Sequence, residues 1–168
     1  EHLRFVLGVL AGRPADEIEA WRREYIDTVI RPSLDAEAQA LVKKHLDAGD
    51  LCVIVTATNA FVTRPIAGLF GVQHLLGAEG EVKDGRYTGE PQGTITFQAG
   101  KLVRLREWLQ EQGLTPDDFD EIWAYSDSRN DLPMLEMATH PVATNPDPVL
   151  RQTATERGWP IIDLFPLA

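Results

Sequence analysis

The sequence contains one cysteine, four histidines and no long apolar run. Cys52 lies in the apolar stretch 51–55, which indicates a buried thiol rather than a disulfide or a metal ligand. The histidines are scattered without the spacing of a metal site, and no stretch approaches the roughly 20 apolar residues of a membrane span. We therefore expect a protein of the reducing cytoplasm with neither a histidine metal site nor a membrane-spanning helix.

Positive charge is also scarce, because 16 Lys and Arg residues stand against 26 Asp and Glu residues and the formal net charge is -10. A surface of this sign repels polyanions, so nucleic acid and anionic membranes are not expected as partners. A small phosphorylated metabolite in a locally positive pocket is compatible with the charge. The hydrophobic content of 43% is typical of a packed globular protein, and nothing in the sequence indicates an oligomeric state.

Strand and helix patterns alternate along most of the chain. This alternation predicts an α/β fold, with a parallel sheet covered by helices on both faces. Asp84-Gly85 between strand-like flanks predicts a β-hairpin. Two helical patterns near the start form a unit of their own, which divides the chain into 1–32 and 33–168. The predicted helices are 3–11, 14–30, 34–48, one within 59–70, 101–112, 131–138 and 147–157, and the predicted parallel strands are 51–55, 73–77, 121–125, 141–143 and 160–162.

The first candidate binding segment follows the apolar strand 51–55. In an open parallel sheet the ligand site lies beyond the carboxyl ends of the strands. Thr56, Ala57, Thr58 and Asn59 place a hydroxyl and several backbone N–H groups at such a strand-to-helix turn, an arrangement that can hold a phosphate oxygen. Thr and Asn also cap helices for purely structural reasons, so a helix cap is the alternative interpretation.

The second candidate segment follows the strand 121–125 and contains Asp127 and Asp131. Two carboxylates this close together raise each other's proton affinity unless a cation neutralises them, and hard oxygen ligands of this kind suit Mg²⁺. The sequence thus indicates a magnesium site at the end of this strand. The alternative is structural, with Asp127 capping the following helix and Asp131 enriching its first turn.

A lysine, Lys101, opens the helix between these two strands. A lysine is a suitable point charge for a phosphoryl group during transfer, although an isolated lysine is ordinarily a surface residue. The order of the features makes the functional interpretation stronger. A strand ending in Thr, then a Lys, and then a strand ending in Asp-x-x-Asn-Asp all provide polar groups at strand ends or helix starts.

This order resembles motifs two, three and four of the haloacid dehalogenase superfamily, and most of all its phosphoserine-phosphatase-like branch, which has a small helical cap. The hairpin interval 83–89 resembles that branch as well. The resemblance implies a Rossmann-like core at 33–168, part of the cap at 1–32, and an Mg²⁺-dependent phosphatase. Its catalytic group would be Thr56, Lys101, Asp127 and Asp131.

The resemblance also implies a role for each of these residues. Thr56 resembles the hydroxyl that binds the transferring phosphoryl group, and Lys101 resembles the cation that neutralises it. Asp127 resembles the direct Mg²⁺ ligand and Asp131 the second carboxylate of the metal site. Asn130 resembles a hydrogen-bonding neighbour of the phosphate.

The first motif of that superfamily does not occur in the sequence. It is an apolar strand ending in Asp-x-Asp-x-Thr, which supplies the nucleophile and an acid–base carboxylate, and it would lie between the strands that end at Thr56 and Asp127. Residues 1–32 resemble the second half of a cap that the family inserts just behind this motif. We therefore interpret the chain as N-terminally truncated, and we expect it to be inactive alone.

Two further departures concern the metal site and the substrate. Ser126 stands where the family commonly has Gly, which narrows the allowed backbone conformations without removing the carboxylates. Alignment on Pro14 puts Val6 where phosphoserine phosphatases have a substrate-binding Arg. The absence of an Arg at this position favours histidinol phosphate over phosphoserine as the substrate. Arg22 and Arg23 could also reach a substrate, but we interpret them as part of a solvated helix face.

Three hypotheses compete on this basis. The leading one is an Mg²⁺-dependent phosphomonoesterase that acts on a small phosphorylated metabolite such as histidinol phosphate or phosphoserine. The second is a non-catalytic protein of the same fold that binds a phosphorylated metabolite or a partner protein. The third is a nucleotide-binding or receiver-type α/β domain with similar strand ends, of which the dinucleotide-binding version is weakened by the lack of a glycine-rich first turn.

Overall fold

The computed structural model describes residue 4 and residues 7–164, so that residues 3 and 5 and Val6 of the predicted helix 3–11 lie outside the described residues. Residues 4, 7 and 8 are helical, and residues 9–12 form turns instead of continuing the predicted helix. The chain divides into two compact units, residues 1–96 and residues 97–168. The division at residue 32 proposed from the sequence stays a prediction. Within the described part of the chain, no helix combines the length and the apolar character that crossing a membrane requires.

The first unit begins with the helices that the sequence predicts after Pro14. Helix α1 (Ala15–Tyr25) has acidic residues in its first turn and basic residues in its last, which complements the helix dipole. It continues through a π-helical segment (Ile26–Ile30) and one further turn (Arg31–Ser33). Helix α2 (Ala36–Ala48) starts at an Asp35 cap and ends at Gly49, whose φ of 84° suits glycine.

The core of the first unit is a β–α–β arrangement. Strand β1 (Val53–Asn59) leads into helix α3 (Ala60–Leu69), and strand β2 (His74–Lys83) lies parallel to β1. Ala60, Ala67 and Leu75 form the buried cluster, with Ile54 packed against it. A Cβ on Gly77 would lie 2.9 Å from the Ala60 Cβ, so β2 approaches the start of α3 as closely as only glycine permits.

Strand β1 differs from its prediction in length and in burial. It continues past residue 55 to Asn59, and its register with β2 shifts between Val55 and Asn59. Val53, Ile54 and Val55 are only half-buried, because β2 is the only partner of β1 among the described strands. Cys52 is likewise half-buried, and burial, followed by the charge of Asp50, raises the pKa of its thiol.

The hairpin predicted at Asp84-Gly85 is confirmed. Strand β3 (Arg86–Gln92) pairs antiparallel with β2, and Lys83 faces Arg86 across the turn. Both turn residues have positive φ, 50° for Asp84 and 73° for Gly85, as the two-residue turn that matches strand twist requires.

The second unit is a three-stranded parallel sheet in the order β4-β5-β6 with helices packed against it. Its buried cluster consists of Leu135, Ala143, Leu150 and Ala154. Parallel pairing is thus confirmed in both units. The elements of the second unit are α4 (Ala99–Glu111), β4 (Trp123–Ser126), α5 (Leu132–Met137), β5 (His140–Thr144), α6 (Pro148–Arg157) and β6 (Ile161–Ile162).

Candidate active site

A buried ion pair between Lys101 and Asp131 lies at the carboxyl end of β4. Lys101 is the third residue of α4, and its Nζ donates a hydrogen bond to Asp131 Oδ2 at 2.9 Å. The two side chains are only 13% and 8% exposed. Charges this far removed from water require a partner, and each of these two residues provides it for the other. The structure thus brings together two residues that are 30 positions apart and that the sequence assigns to one site.

The two oxygens of the Asp131 carboxylate have different surroundings. Oδ2 accepts hydrogen bonds from Lys101 and from the Ser126 hydroxyl, the latter at 2.8 Å. Oδ1 lies 2.7 Å from the Lys101 Nζ but receives no hydrogen bond of normal geometry from the described residues, although it is buried. Buried carboxylate oxygens rarely stay unsatisfied, so Oδ1 retains capacity for one more donor or cation.

Asp127 is exposed at the end of β4, and its carboxylate makes no hydrogen bond or ion pair within the described part of the chain. Its backbone carbonyl accepts a hydrogen bond from the Asp147 N–H at 2.7 Å. The structural alternative for Asp127 is wrong, since Ser128 caps the short 3₁₀ turn Arg129–Asp131 instead. Asp131 closes this turn, so the predicted helix starts one residue later than expected.

Asp147 anchors the segment 127–129, which follows β4, through hydrogen bonds. Its Oδ2 accepts from the Arg129 N–H at 2.7 Å, and its Oδ1 accepts from the N–H groups of Val149 and Leu150 at the start of α6. Burial by itself raises the pKa of the Asp147 carboxyl, but the three N–H donors and the charge of Arg129 outweigh it and lower the pKa below its usual range.

We expect the Asp147→Ala variant to lose about 1–2 kcal/mol of unfolding free energy at pH 7, because a helix cap and a loop anchor disappear together. A lowered pKa in the folded state stabilises the protein above the ordinary Asp pKa of about 3.9, and this contribution is lost as the pH falls through the folded-state value. Urea titrations from pH 7 to pH 3 measure both effects.

The matched control for this variant is Asp35→Ala. Asp35 caps α2 with a single hydrogen bond, from the Ala38 N–H at 2.9 Å, whereas Asp147 accepts from three backbone groups. The Asp35 variant should therefore lose less stability. Equal losses in the two variants, or a difference between wild type and Asp147→Ala that grows as the pH falls below 4, would contradict the role assigned to Asp147.

The residue before α4 was not singled out from the sequence. Gln98 has φ 48° and ψ -122°, a backbone conformation that is unfavourable for a residue with a Cβ. Its Nε2 donates to the Asn130 Oδ1 at 3.3 Å. Strain of this kind persists only where surrounding contacts impose it, and it is common near functional sites. No residue pattern in the sequence marks this turn.

In the first unit, Thr56 and Thr58 lie where the register of β1 shifts. The Thr56 hydroxyl accepts the Thr58 N–H at 3.1 Å, so its own proton is available for donation to a ligand. Asn59 caps α3 by accepting the Phe61 N–H at 2.8 Å, which confirms the cap interpretation for that residue. The Asn59 Nδ2 is buried without a partner among the described residues.

Arg22 is not part of a solvated helix face, so that interpretation is wrong for this residue. Its side chain is 21% exposed and forms an ion pair with Glu19. Its Nη1 donates to the Phe61 carbonyl at 3.0 Å, and its guanidinium lies 4.3 Å from the centre of the Phe61 ring. Arg23 is exposed, as expected. Arg22 thus fixes α1 to the first turn of α3.

The sequence contains a single Asp-x-Asp, Asp118-Phe119-Asp120, and it does not follow a strand. Asp118 belongs to a short 3₁₀ turn, where its Oδ2 accepts hydrogen bonds from the Thr115 N–H and hydroxyl. These two bonds lower the pKa of the Asp118 carboxyl. The segment is a capping box, and it has neither the following Thr nor the strand end of the family's nucleophile motif.

Comparison with known proteins then decides the family. A family model described as haloacid dehalogenase-like hydrolase matches residues 1–136. The chain belongs to this family. The resemblance first inferred from the order of Thr56, Lys101, Asp127 and Asp131 is therefore confirmed at the level of the family, and the roles assigned to these four residues stay predictions.

The relatives of this chain include proteins named as phosphatases. A Neisseria meningitidis protein named histidinol-phosphatase is 39% identical over 162 residues, which cover 96% of this chain and 73% of the relative. A Mycobacterium tuberculosis protein named phosphoserine phosphatase is 37% identical over 160 residues, which cover 95% of this chain and 51% of that relative. The chain thus spans about half the length of the mycobacterial relative.

Solved structures agree on the fold of the family. A crystal structure of a Bordetella pertussis protein superposes with a TM-score of 0.95 at 53% identity, covering 97% of this chain and 73% of that one. A phosphoserine phosphatase solved as a phospho-aspartyl intermediate analogue gives a TM-score of 0.66 at 20% identity, covering 97% and 71%. The second likeness shows the fold alone, and together they confirm the Rossmann-like α/β class.

Proposed function

We propose that the protein is an Mg²⁺-dependent phosphomonoesterase that acts on a small phosphorylated metabolite. The observation that carries this proposal is the buried Lys101–Asp131 ion pair beside the exposed carboxylate of Asp127. A lysine ammonium and two carboxylates thus lie at one strand end, and this supports the proposal that the lysine neutralises a phosphoryl group and that the carboxylates bind a metal ion. Thr56 is the proposed hydroxyl donor to the same phosphate, and the backbone N–H groups of Ala57 and Thr58 are further donors.

The residues present fit a magnesium ion. Among the described residues, the buried Asp131 Oδ1 accepts no hydrogen bond, although the Lys101 Nζ lies 2.7 Å from it, and the Asp127 carboxylate is unengaged. Hard oxygen ligands of this kind are those that Mg²⁺ prefers, and the ion ordinarily keeps several waters. No group of three or more His, Cys, Asp or Glu side chains with metal-binding geometry occurs in the described part of the chain. Asp127 and Asp131 would therefore hold the ion, which supplies positive charge to neutralise the phosphoryl oxygens.

Each residue of the proposed site has a distinct task. Lys101 neutralises charge on the phosphoryl group while Asp131 keeps its ammonium in place. Thr56 donates to a phosphoryl oxygen. Asn130 accepts a hydrogen bond from Gln98 with its amide oxygen and orients the phosphate with its amide nitrogen. The attacking carboxylate belongs to the Asp-x-Asp-x-Thr motif, which these 168 residues lack. We propose that a segment outside them provides it, with an aspartyl-phosphate as the intermediate.

Histidinol phosphate is the preferred substrate in this proposal, and phosphoserine is the competitor. The relative named histidinol-phosphatase is 39% identical to this chain. Arg4 pairs with Glu90 at 2.8 Å and is largely exposed, so the guanidinium nearest to Val6 in the sequence is engaged elsewhere. A substrate with an amine and no carboxylate needs no such guanidinium.

Phosphate release tests the proposal. The full-length protein that contains these residues should hydrolyse histidinol phosphate with a higher kcat/KM than phosphoserine, and EDTA should abolish turnover that added Mg²⁺ then restores. Residues 1–168 alone should release no phosphate. Turnover by residues 1–168 alone, or turnover that is indifferent to EDTA, would contradict the proposal. Tight binding of phosphate by the full-length protein without any turnover would favour the non-catalytic alternative.

A further inference from the structure

The geometry assigns to Ser126 the task of positioning the Asp131 carboxylate for the metal ion. This inference rests on the proposed function and extends it to a residue outside the proposed ligand set. Ser126 is the last residue of β4 and is 7% exposed. It belongs neither to the proposed phosphate contacts nor to the proposed metal ligands, so it acts only through Asp131.

The hydrogen bonds of Ser126 determine the direction of its hydroxyl proton. The Ser128 N–H donates to the Ser126 Oγ at 3.1 Å, so the oxygen is the acceptor in that bond. A serine hydroxyl has one proton to donate, and here it goes to Asp131 Oδ2 at 2.8 Å. The backbone of the loop therefore fixes the serine, and the serine in turn fixes the carboxylate.

The consequence for Asp131 is an asymmetric carboxylate. Its terminal torsion is soft, because rotation about an sp³–sp² bond has broad minima. The Lys101 Nζ lies near both oxygens, 2.9 Å from Oδ2 and 2.7 Å from Oδ1, whereas the Ser126 hydroxyl donates to Oδ2 alone. Ser126 therefore sets the plane of the group and distinguishes its two oxygens, and Oδ1 accepts no hydrogen bond from the described residues. Oδ1 is therefore the oxygen presented to Mg²⁺ or to one of its waters. A glycine at position 126 would provide no such restraint.

Partners that orient a metal ligand typically contribute a factor of about 10–100 in metal affinity. We therefore expect the Ser126→Ala and Ser126→Gly variants of the full-length protein to bind Mg²⁺ about 10-fold more weakly than wild type. Ser126→Thr keeps the hydroxyl and should remain within about 3-fold of wild type by the same reasoning. Isothermal titration calorimetry with MgCl₂ and no substrate measures the affinity, and thermal unfolding confirms that each variant is folded.

A merely structural serine would behave differently. In that case Ser126→Ala and Ser126→Gly would lower the unfolding temperature and leave the Mg²⁺ affinity unchanged, and this result would overturn the inference. Rescue of the affinity by Thr supports it. Asp131→Asn separates this inference from the proposed function. If wild type binds no Mg²⁺, or if Asp131→Asn binds it equally well, the proposed metal site itself is wrong.

Discussion

Replacing Asp127 with Asn should lower kcat/KM for histidinol phosphate by about 10²–10³-fold, because direct metal coordination contributes several kcal/mol to stabilising a phosphoryl transition state. The unfolding free energy should change by no more than about 0.5 kcal/mol, as is usual for an exposed surface substitution. The Asp127 carboxylate is exposed and makes no hydrogen bond in the described part of the chain. Steady-state phosphate release and urea unfolding of the full-length protein measure the two quantities.

Asp120→Asn is the matched control for this variant. Asp120 is exposed like Asp127, but it precedes β4 and lies outside the proposed site. Its replacement should leave both activity and stability close to wild type, so that loss of one negative charge is separated from loss of a metal ligand. A drop of less than 10-fold for Asp127→Asn at saturating Mg²⁺ would remove Asp127 from the metal site.

Replacing Asp131 with Ala should lower the unfolding free energy by about 3 kcal/mol. The Lys101 ammonium would then remain largely buried without its counter-charge, and removing one partner of a buried ion pair typically costs about 3–5 kcal/mol. The two side chains are 13% and 8% exposed, so water can compensate only in part. Urea denaturation at pH 7 measures the loss.

A double variant distinguishes an unpaired charge from a packing defect. Lys101→Met combined with Asp131→Leu removes both charges and should recover most of the stability that Asp131→Ala loses, while phosphatase activity stays absent. The exposed pair Lys43–Asp47 is the control, since its side chains are 69% and 62% exposed. Asp47→Ala should cost less than about 1 kcal/mol. A double variant as unstable as Asp131→Ala would point to packing instead.

The order of strands and helices could be predicted from local patterns because each pattern has a local physical cause. Gly49 ends α2 with a positive φ, and Asp84-Gly85 forms the turn that such residues favour. Strand ends were predicted less well. Residues 56–58 read as a turn, but they continue β1 across a register shift toward β2. Register depends on the partner strand, which a local pattern does not contain.

The sequence predicts which residues form the candidate site better than it predicts the hydrogen bonds between them. The pairing of Lys101 with Asp131 follows from the order of motifs, whereas the hydrogen bond from Ser126 depends on the path of the loop and on one side-chain rotamer. Gln98 and Arg22 were missed or misjudged for the same reason. Their partners are distant in sequence, and a charged residue on a helix gives no local sign that it packs on an aromatic ring.

A crystal structure of the full-length protein with Mg²⁺ and tungstate, an analogue of phosphate, would show whether Thr56, Lys101, Asp127 and Asp131 share one phosphate and metal site. We expect one tungstate that accepts hydrogen bonds from the Thr56 hydroxyl and the Lys101 ammonium, beside an Mg²⁺ ion held by the carboxylates of Asp127 and Asp131. Tungstate and Mg²⁺ bound away from these four side chains, or Thr56 on a different surface from Lys101, would contradict this expectation.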